Sequence, residues 1–513
     1  MNIFNKICKR SVWVLLTVFF AIWFVVFTVG KPIAMKNDGW INKYFDINPW
    51  EMVKDENDDP TQARYYKSDY ETMNSDGTVT YNHNAMRNNS MSVATKVATE
   101  GSVLLWNDDV DGKPALPLAG GSKISLFGIS CLESNYIYSG EGSGHVTITT
   151  TDNLKSSCED EGLTVNNQLW NAYRRVKTKG FGRAQGGNYS GVTDDPNYRE
   201  FKVGEATWDA LNSTTFGDIT PSVRQYGDAA VMIISRNGGE DANTDFPAPE
   251  CLNENYMDLA INEDEILTKL DEMKANGTIK KIVLLINSAA AMSMENILEH
   301  DIDACMWVGM GGNASYDQLA KLLAGSANPY GRLTDTWAMS TDSAPSTVNF
   351  GDYTFTEHNG VPADTQYTHN TKYVVYAEGI YVGYRYYETR YEDLILGGRN
   401  ANGAAGVTAG DASKGWSYSD EVAFPFGYGG SYTTFSYSDY TVEQNGDGDY
   451  EVSVTVTNSG DVKGKEVVQA YIQKPYTEYD KQNHIEKASV ELVGFDKTEE
   501  LEPGASQTVT ITV

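Results

Sequence analysis

Three carboxyl groups lie close together in the segment ISRNGGEDANTDF, residues 234–246: those of Glu240, Asp241 and Asp245. The segment starts as an apolar run that is typical of a buried strand, and two glycines then favour a turn. A carboxyl group held on such a turn could act as a general acid or base. An exposed Glu on a loop is usually only solvated, so the turn by itself leaves both interpretations open.

A second segment, GEGSGHV at 140–146, is rich in glycine. Because glycine lets the backbone approach another molecule closely, Gly142 and Ser143 are candidate substrate-binding residues. The alternative interpretation is an ordinary surface turn.

Other ligand classes find little support in the sequence. The five cysteines form no CxxC pair and the six histidines have no HxH or HExxH spacing, so we expect no metal site. The loop NDDVDGKPALPL (107–118) has Leu118 where a calcium loop needs Glu, which favours a turn. GMGGNA (309–314) lacks the second, acidic strand of a dinucleotide site. A formal charge of −30 disfavours nucleic acid. We therefore expect neither a cofactor nor a nucleic-acid partner.

Apolar strand patterns alternate with amphipathic helix patterns between residues 91 and about 346. The pattern predicts helices through 255–273 and 317–325, and it predicts strands at KISLFG (123–128), AAVMIIS (229–235), KIVLLINS (281–288) and DACMWVG (303–309). This alternation is typical of a three-layer α/β sandwich built on a parallel sheet. Ligands of such sheets bind beyond the carboxyl ends of the strands, which is where Glu240 would lie.

After Phe424 the pattern changes to period two, as in YEVSVTVTNSGDVKGKEVVQAYIQKP. This predicts an antiparallel β-sandwich, with a hairpin at NGDGD (445–449). The sequence ends with TVTITV, so we expect at least one further strand beyond it. The resulting division is a tip and anchor at 1–35, a stalk at 36–90, the α/β domain at 91–423 and an incomplete β-sandwich at 424–513.

The N-terminal region has the pattern of a membrane anchor. Residues 11–30 carry no charge and follow Lys6, Lys9 and Arg10. Twenty apolar residues are enough to cross a bilayer, and the positive flank favours a cytoplasmic N-terminus. We expect a single-pass anchor with the bulk of the chain outside the cell. A cleaved signal peptide is the alternative, although no small-residue cleavage site is evident.

Six segments, taken in order, resemble the second and third domains of glycoside hydrolase family 3, the β-glucosidase type. They are EGSVLLWND with LPL (100–118), GEGSGHV (140–146), ISRNGGEDA (234–242), NPYGRLTDTW (328–337), EGIYVGYRYYETRYE (378–392) and FPFGYGGSYTTFSYSDY (424–440). The resemblance implies an α/β sandwich followed by a fibronectin type III-like domain. It also implies a separate (β/α)8 barrel, in cis or in trans, whose aspartate is the nucleophile. The SDW-like motif of that barrel does not occur here, which matches the rearranged domain order of some members.

The resemblance implies that Glu240 is the acid/base residue, because the family has a Glu in an SGEG-like loop after a strand. The loop here reads GGED, and no Asp-Arg pair follows it. Asp241 and Asp245 are the remaining substrate-binding candidates. The implied substrate is a β-glucoside or a related oligosaccharide, and the chain without its barrel would be inactive. The alternatives are a non-catalytic glycan-binding protein, whose tyrosines could stack on sugar rings, and a structural spacer.

Overall fold

The computed structural model describes residues 2–25, 70–140, 152–182, 203–239, 244, 247–394 and 417–513, apart from 74, 76–78, 352, 355–356, 359–360, 363–371 and 447. The chain forms two compact units, residues 1–85 and 86–513. In the first unit, helix α1 (Asn2–Val25) precedes a short hairpin of β1 (Glu71–Met73) and β2 (Val79–Tyr81).

The described helices include none that is both long enough and apolar enough to cross a membrane. The predicted anchor at 11–30 is therefore not supported. Helix α1 ends at Val25, and residues 26–30 lie outside the described part of the chain.

The remaining helices and strands follow in chain order. The helices are α2 (His83–Gly101), α3 (Leu154–Asp160), α4 (Asn167–Lys177), α5 (Trp208–Asn212), α6 (Thr220–Gln225), α7 (Ile261–Ala275), α8 (Glu295–Leu298), α9 (Ser315–Ala324), α10 (Pro345–Val348), α11 (Tyr384–Leu394), α12 (Tyr418–Glu421) and α13 (Glu478–Gln482). The strands are β3 (Val103–Asn107), β4 (Asp109–Val110), β5 (Lys113–Pro114), β6 (Lys123–Phe127), β7 (Thr164–Val165), β8 (Ala229–Arg236), β9 (Ile282–Ser288), β10 (Ala304–Trp307), β11 (Trp337–Ala338), β12 (Tyr353–Thr354), β13 (Glu357–His358), β14 (Val361–Pro362), β15 (Lys372–Tyr373), β16 (Val422–Phe424), β17 (Phe435–Gln444), β18 (Tyr450–Asn458), β19 (Val467–Gln473), β20 (Val490–Lys497) and β21 (Ser506–Thr512).

The second unit is centred on a six-stranded sheet with the order β3-β10-β9-β8-β6-β7. Every residue of β8 and β9 is buried. Because successive side chains of a strand point to opposite faces, both faces of the sheet are covered, which confirms the predicted α/β architecture. The sheet is not wholly parallel, since the edge strand β3 runs antiparallel to β10. Antiparallel edge strands are common on otherwise parallel sheets.

Two turns that could be mistaken for ligand loops are hairpins. Strand β4 pairs with β5 across Asp111 and Gly112, both of which have positive φ. Positive φ at both central residues is the requirement of a tight two-residue hairpin turn, so the turn predicted for 107–118 is confirmed. At 445–449, the amide of Asn445 donates to the carbonyl of Asp449 at 2.8 Å, between β17 and β18.

The helix predicted from residue 255 begins later, at Ile261 in α7. The carbonyl groups of Tyr256 and Asp258 instead accept hydrogen bonds from the buried side chain of Arg236. A carbonyl that is engaged by a side chain in this way does not need a helical N–H partner. The prediction was wrong here because a tertiary contact overrides the local helix pattern.

The C-terminal strands form the predicted β-sandwich. The three-stranded sheet β17-β18-β21 and the pair β19-β20 share one apolar core, to which Val456 and Val509 contribute from the first sheet and Val468 from the second. The sandwich is joined to the α/β domain by polar contacts. Arg332 pairs with Glu466 at 2.7 Å, and Lys465 pairs with Glu100 at 2.8 Å.

Candidate active site

The predicted site residues themselves lie outside the described part of the chain. This applies to Glu240, Asp241, Asp245, Gly142 and Ser143. The described residues include Gly140, which is the first residue of the glycine-rich segment, and Gly239, which immediately precedes Glu240; we call the chain up to these two residues the stems of the two segments. Strands β6, β8, β9 and β10 are parallel, and both stems follow the carboxyl ends of strands in this set.

The two stems touch each other. A Cβ atom added to Gly140 would lie 2.9 Å from the carbonyl oxygen of Gly238 and 3.8 Å from the Cα atom of Gly239. The first distance is shorter than side chains tolerate, so the backbones can approach this closely only because residue 140 is glycine. The structure therefore brings the beginning of the glycine-rich segment against the beginning of the carboxylate turn.

A single buried amide fixes these stems to the sheet. Asn287, near the end of β9, is fully buried. Its Oδ1 atom accepts from the amide of Ile137 at 2.8 Å and from the hydroxyl of Ser235 at 2.7 Å. Its Nδ2 atom donates to the carbonyl groups of Ile137 at 2.8 Å and Gly309 at 2.7 Å. Both lone pairs and both donors are used, so Asn287 joins the ends of β8 and β9 to the loops that follow β6 and β10.

Arg236 anchors the last residue of β8 under the glycine turn. The side chain is fully buried, and all five of its N–H donors have acceptors. Two of these bonds reach the carboxylate of Glu263, at 3.1 and 2.7 Å. The others reach the backbone carbonyls of Ser235, Tyr256 and Asp258. Burial alone would lower the pKa of Arg236, but the charge of Glu263 raises it above its usual value. The turn thus extends from a rigid strand end.

A buried carboxyl group, that of Glu205, lies beside the end of β6. Its two oxygens accept from the amides of Ile129 at 2.6 Å and Ala206 at 2.9 Å. Burial raises the pKa of Glu205 to about 8; the amide of Ile129 opposes this rise, and the nearby charge of Glu263 adds to it. Perturbed carboxyl groups are often catalytic, but this one is only 3% exposed. With both oxygens engaged, Glu205 holds the backbone and does not reach a substrate.

Sequence reasoning missed these three buried residues. A charged residue at the end of the apolar run AAVMIISR was the available signal for Arg236. The partners of Asn287 and Glu205 lie 150 and 76 residues away along the chain, so no local pattern pointed to either. Within the described residues, no group of three His, Cys, Asp or Glu side chains is placed to hold a metal ion.

Replacing Arg236 with Met should lower the free energy of unfolding by about 3–5 kcal/mol, because it leaves the buried Glu263 carboxylate without its counter-charge, with only the amide of Ala260 still donating to it. The double variant Arg236→Met/Glu263→Leu should lose less, since neither charge remains. Lys269→Met, which breaks an exposed pair with Glu272, is the matched control and should change the value by less than about 0.5 kcal/mol. Urea unfolding measures the free energy of unfolding of all three variants. Equal decreases in the single variant Arg236→Met and the double variant would contradict the ion-pair account.

The raised pKa of Glu205 predicts a pH dependence of stability. The folded chain binds this proton more tightly than the unfolded chain, where the pKa is near 4.5. The stabilisation is therefore complete below about pH 4.5 and is lost as the pH rises through about 8, with a slope of up to ~1.4 kcal/mol per pH unit. Glu205→Gln should remove this slope in urea titrations at pH 5, 6.5 and 8. If the free energy of unfolding depended on pH in the same way for the wild type and the variant, the Glu205 carboxyl group would not be binding a proton in this range.

Comparison with known proteins identifies related chains for most of the molecule. The model of the glycosyl hydrolase family 3 C-terminal domain matches residues 102–384, and that of the fibronectin type III-like domain matches residues 466–513. A β-glucosidase of Ruminococcus albus is 29% identical over 83% of this chain and 36% of its own length. β-Glucosidase A of Butyrivibrio fibrisolvens is 29% identical over 82% of this chain and 45% of its own length. The chain therefore spans less than half of these relatives.

Two solved structures share the fold. A β-glucosidase from Paenibacillus barengoltzii has a TM-score of 0.60 and 27% identity, covering 82% of this chain and 38% of that one. β-Glucosidase 3B from Thermotoga neapolitana, in complex with α-D-glucose, has a TM-score of 0.59 and 27% identity, covering 83% of this chain and 49% of that one. With the family model matching more than half of the sequence, the chain belongs to glycosyl hydrolase family 3, through its C-terminal α/β domain and a following fibronectin type III-like domain.

Proposed function

We propose that this chain is the proton-donating part of a β-glucosidase, with Glu240 as the acid/base residue. The observation that carries the proposal is the contact of Gly140 with Gly238 and Gly239, because it joins the stems of the two candidate segments at the carboxyl edge of the sheet. Two relatives that share the matched region are β-glucosidases, and one related structure contains glucose. These support a terminal β-linked glucoside as the substrate.

The proposed reaction is a retaining double displacement. It uses two carboxyl groups about 5 to 5.5 Å apart: one attacks the anomeric carbon, and the other protonates the departing oxygen and later takes a proton from water. Glu240 takes the second role. A (β/α)8 barrel, in cis or in trans, supplies the attacking aspartate, and without it the chain is inactive. The two glycines before Glu240 give the turn the reach that a site shared between two domains requires.

The neighbours of Glu240 fit the role of an acid. Asp241 places a second negative charge beside it, which disfavours loss of the proton. Docking of a barrel would also exclude water, which acts in the same direction. Asp245, Gly142 and Ser143 are proposed to contact the substrate. Placement at the cell surface is a separate proposal, which rests on the basic and then apolar sequence of residues 6–30 and has no support from the described helices.

The test uses the chain with a family 3 barrel fused after Val513, compared with the chain alone. The fusion should hydrolyse an aryl β-glucoside and the chain alone should not. Glu240→Gln should lower kcat/KM by about 10²- to 10⁴-fold for a poor leaving group, with a much smaller effect for an activated one that needs no proton. Azide should partly restore turnover, since it attacks without a general base.

The matched control is Glu272→Gln, which removes an exposed carboxyl on α7 and should leave kcat/KM unchanged. Wild-type turnover in the Glu240→Gln fusion would contradict the assignment. Tight glucoside binding by the wild-type fusion without hydrolysis would favour the non-catalytic glycan-binding alternative.

A further inference from the structure

A pocket that is remote in sequence from the glycine turn lies where helix α11 packs against the β-sandwich. It has a volume of about 490 Å³. Its walls carry five aromatic rings, and its one acidic group is Glu388. The rings are those of Tyr384, Tyr391, Tyr418, Phe426 and Tyr471. We call this set the aromatic pocket.

Three ring pairs of the aromatic pocket meet at steep angles, whereas Tyr384 and Phe426 lie at 31° with centroids 4.5 Å apart. The Tyr471 ring stands at 82° to that of Tyr384 and at 87° to that of Phe426, with centroids 6.4 and 6.5 Å apart. Tyr391 and Tyr418 meet at 75° with centroids 5.3 Å apart. A sugar is bound by a flat ring face that lies parallel to it, whereas walls at right angles enclose a compact group. Ring faces carry negative quadrupole potential, which attracts a cation.

The carboxyl group in the pocket has no basic partner. Glu388 accepts a hydrogen bond from the Tyr418 hydroxyl, and no ion pair among the described residues involves it. Burial raises the pKa of Glu388, and the bond from Tyr418 opposes this rise. Helix α11 carries two basic side chains: Arg385 lies 3.7 Å from Glu491 and 5.4 Å from the centre of the Tyr384 ring, and Arg390 lies 3.7 Å from Glu421. A partly desolvated carboxylate without a compensating charge favours a positively charged ligand.

Tyrosines at a domain contact often serve only for packing, and some of these do. The Tyr384 hydroxyl accepts from the amide of Leu492 at 3.1 Å, which ties α11 to β20. Packing does not explain the open volume, the 41% exposure of the Tyr471 ring or the uncompensated carboxylate. We propose that the aromatic pocket binds an alkylammonium group, with Glu388 as the counter-charge and the rings as the walls. The overall charge of −30 favours the approach of such a ligand.

Calorimetric titration of the complete 513-residue chain tests this assignment with choline as the probe. The matched neutral ligand is 3,3-dimethylbutan-1-ol, which has the same shape without the charge. Choline should bind at least about tenfold more tightly than the alcohol, because a desolvated cation–π contact contributes about 2 kcal/mol. Glucose should not compete with choline.

Glu388→Gln should weaken choline binding about tenfold or more and leave the alcohol unaffected, because the amide oxygen still accepts from Tyr418 while the charge is gone. Tyr471→Leu removes one of the aromatic walls at a residue that is 41% exposed. It should also weaken choline binding, which gives a second test that does not involve the charge of Glu388. Glu478→Gln, whose side chain is 78% exposed, is the control and should have no effect. The proposal would be overturned if choline did not bind detectably, or if it bound no more tightly than the alcohol. It would also be overturned if both pocket variants bound choline like the wild type, or if glucose displaced choline.

Discussion

The amide side chain of Asn287 is the contact on which the geometry of the candidate site depends. It is fully buried and makes four hydrogen bonds, to Ser235 and to the loops that contain Ile137 and Gly309. A buried amide that lost one of these bonds would carry the desolvation cost of an unpaired polar group. The loops after β6 and β10 are therefore held in one arrangement, and Gly140 meets Gly238 as a result.

The Arg236–Glu263 pair adds a second constraint with a different physical character. Two charges are withdrawn from water, which is costly, and the cost is offset only because every donor of the guanidinium is satisfied. The pair fixes the end of β8 and also the chain from Tyr256 to Ala260. The glycine turn begins immediately after this fixed point. A fixed strand end followed by two glycines suits the role proposed for Glu240, which has to reach a substrate that is also bound by another domain.

How much the sequence could predict depended on whether the signal was local. The strands at 123–128, 229–235 and 281–288 were predictable because fully buried strands are continuous apolar runs. The β-sandwich was predictable from its period of two. The start of α7 was not, since Arg236 holds the carbonyls that would have extended the helix. Asn287 and Glu205 were not predictable, because their roles come from partners far away in the chain.

The buried polar groups of this protein differ in how many of their hydrogen bonds are made within the protein. At Asn287, Arg236 and Glu205 every strong donor or acceptor has found a partner within the protein, and these groups have structural roles. Among the described residues, Glu388 has a single hydroxyl donor and no counter-charge, and it lies in the lining of the aromatic pocket. This difference in hydrogen bonding distinguishes Asn287, Arg236 and Glu205, which have structural roles, from Glu388, and it supports the proposal that Glu388 binds a ligand.

Amide hydrogen exchange at Ile137 tests the central constraint most directly. In the wild-type chain this amide donates to Asn287 and should be strongly protected. Replacing Asn287 with Ala should raise the exchange rate at Ile137 by about tenfold or more, since a bond of about 1.4 kcal/mol corresponds to a factor of ten. The amide of Ala230, which donates across the β8–β9 ladder to the carbonyl of Lys281 at 2.9 Å, should keep its protection. Unchanged exchange at Ile137 in the variant would show that the loops are held by something other than this amide and would contradict the account.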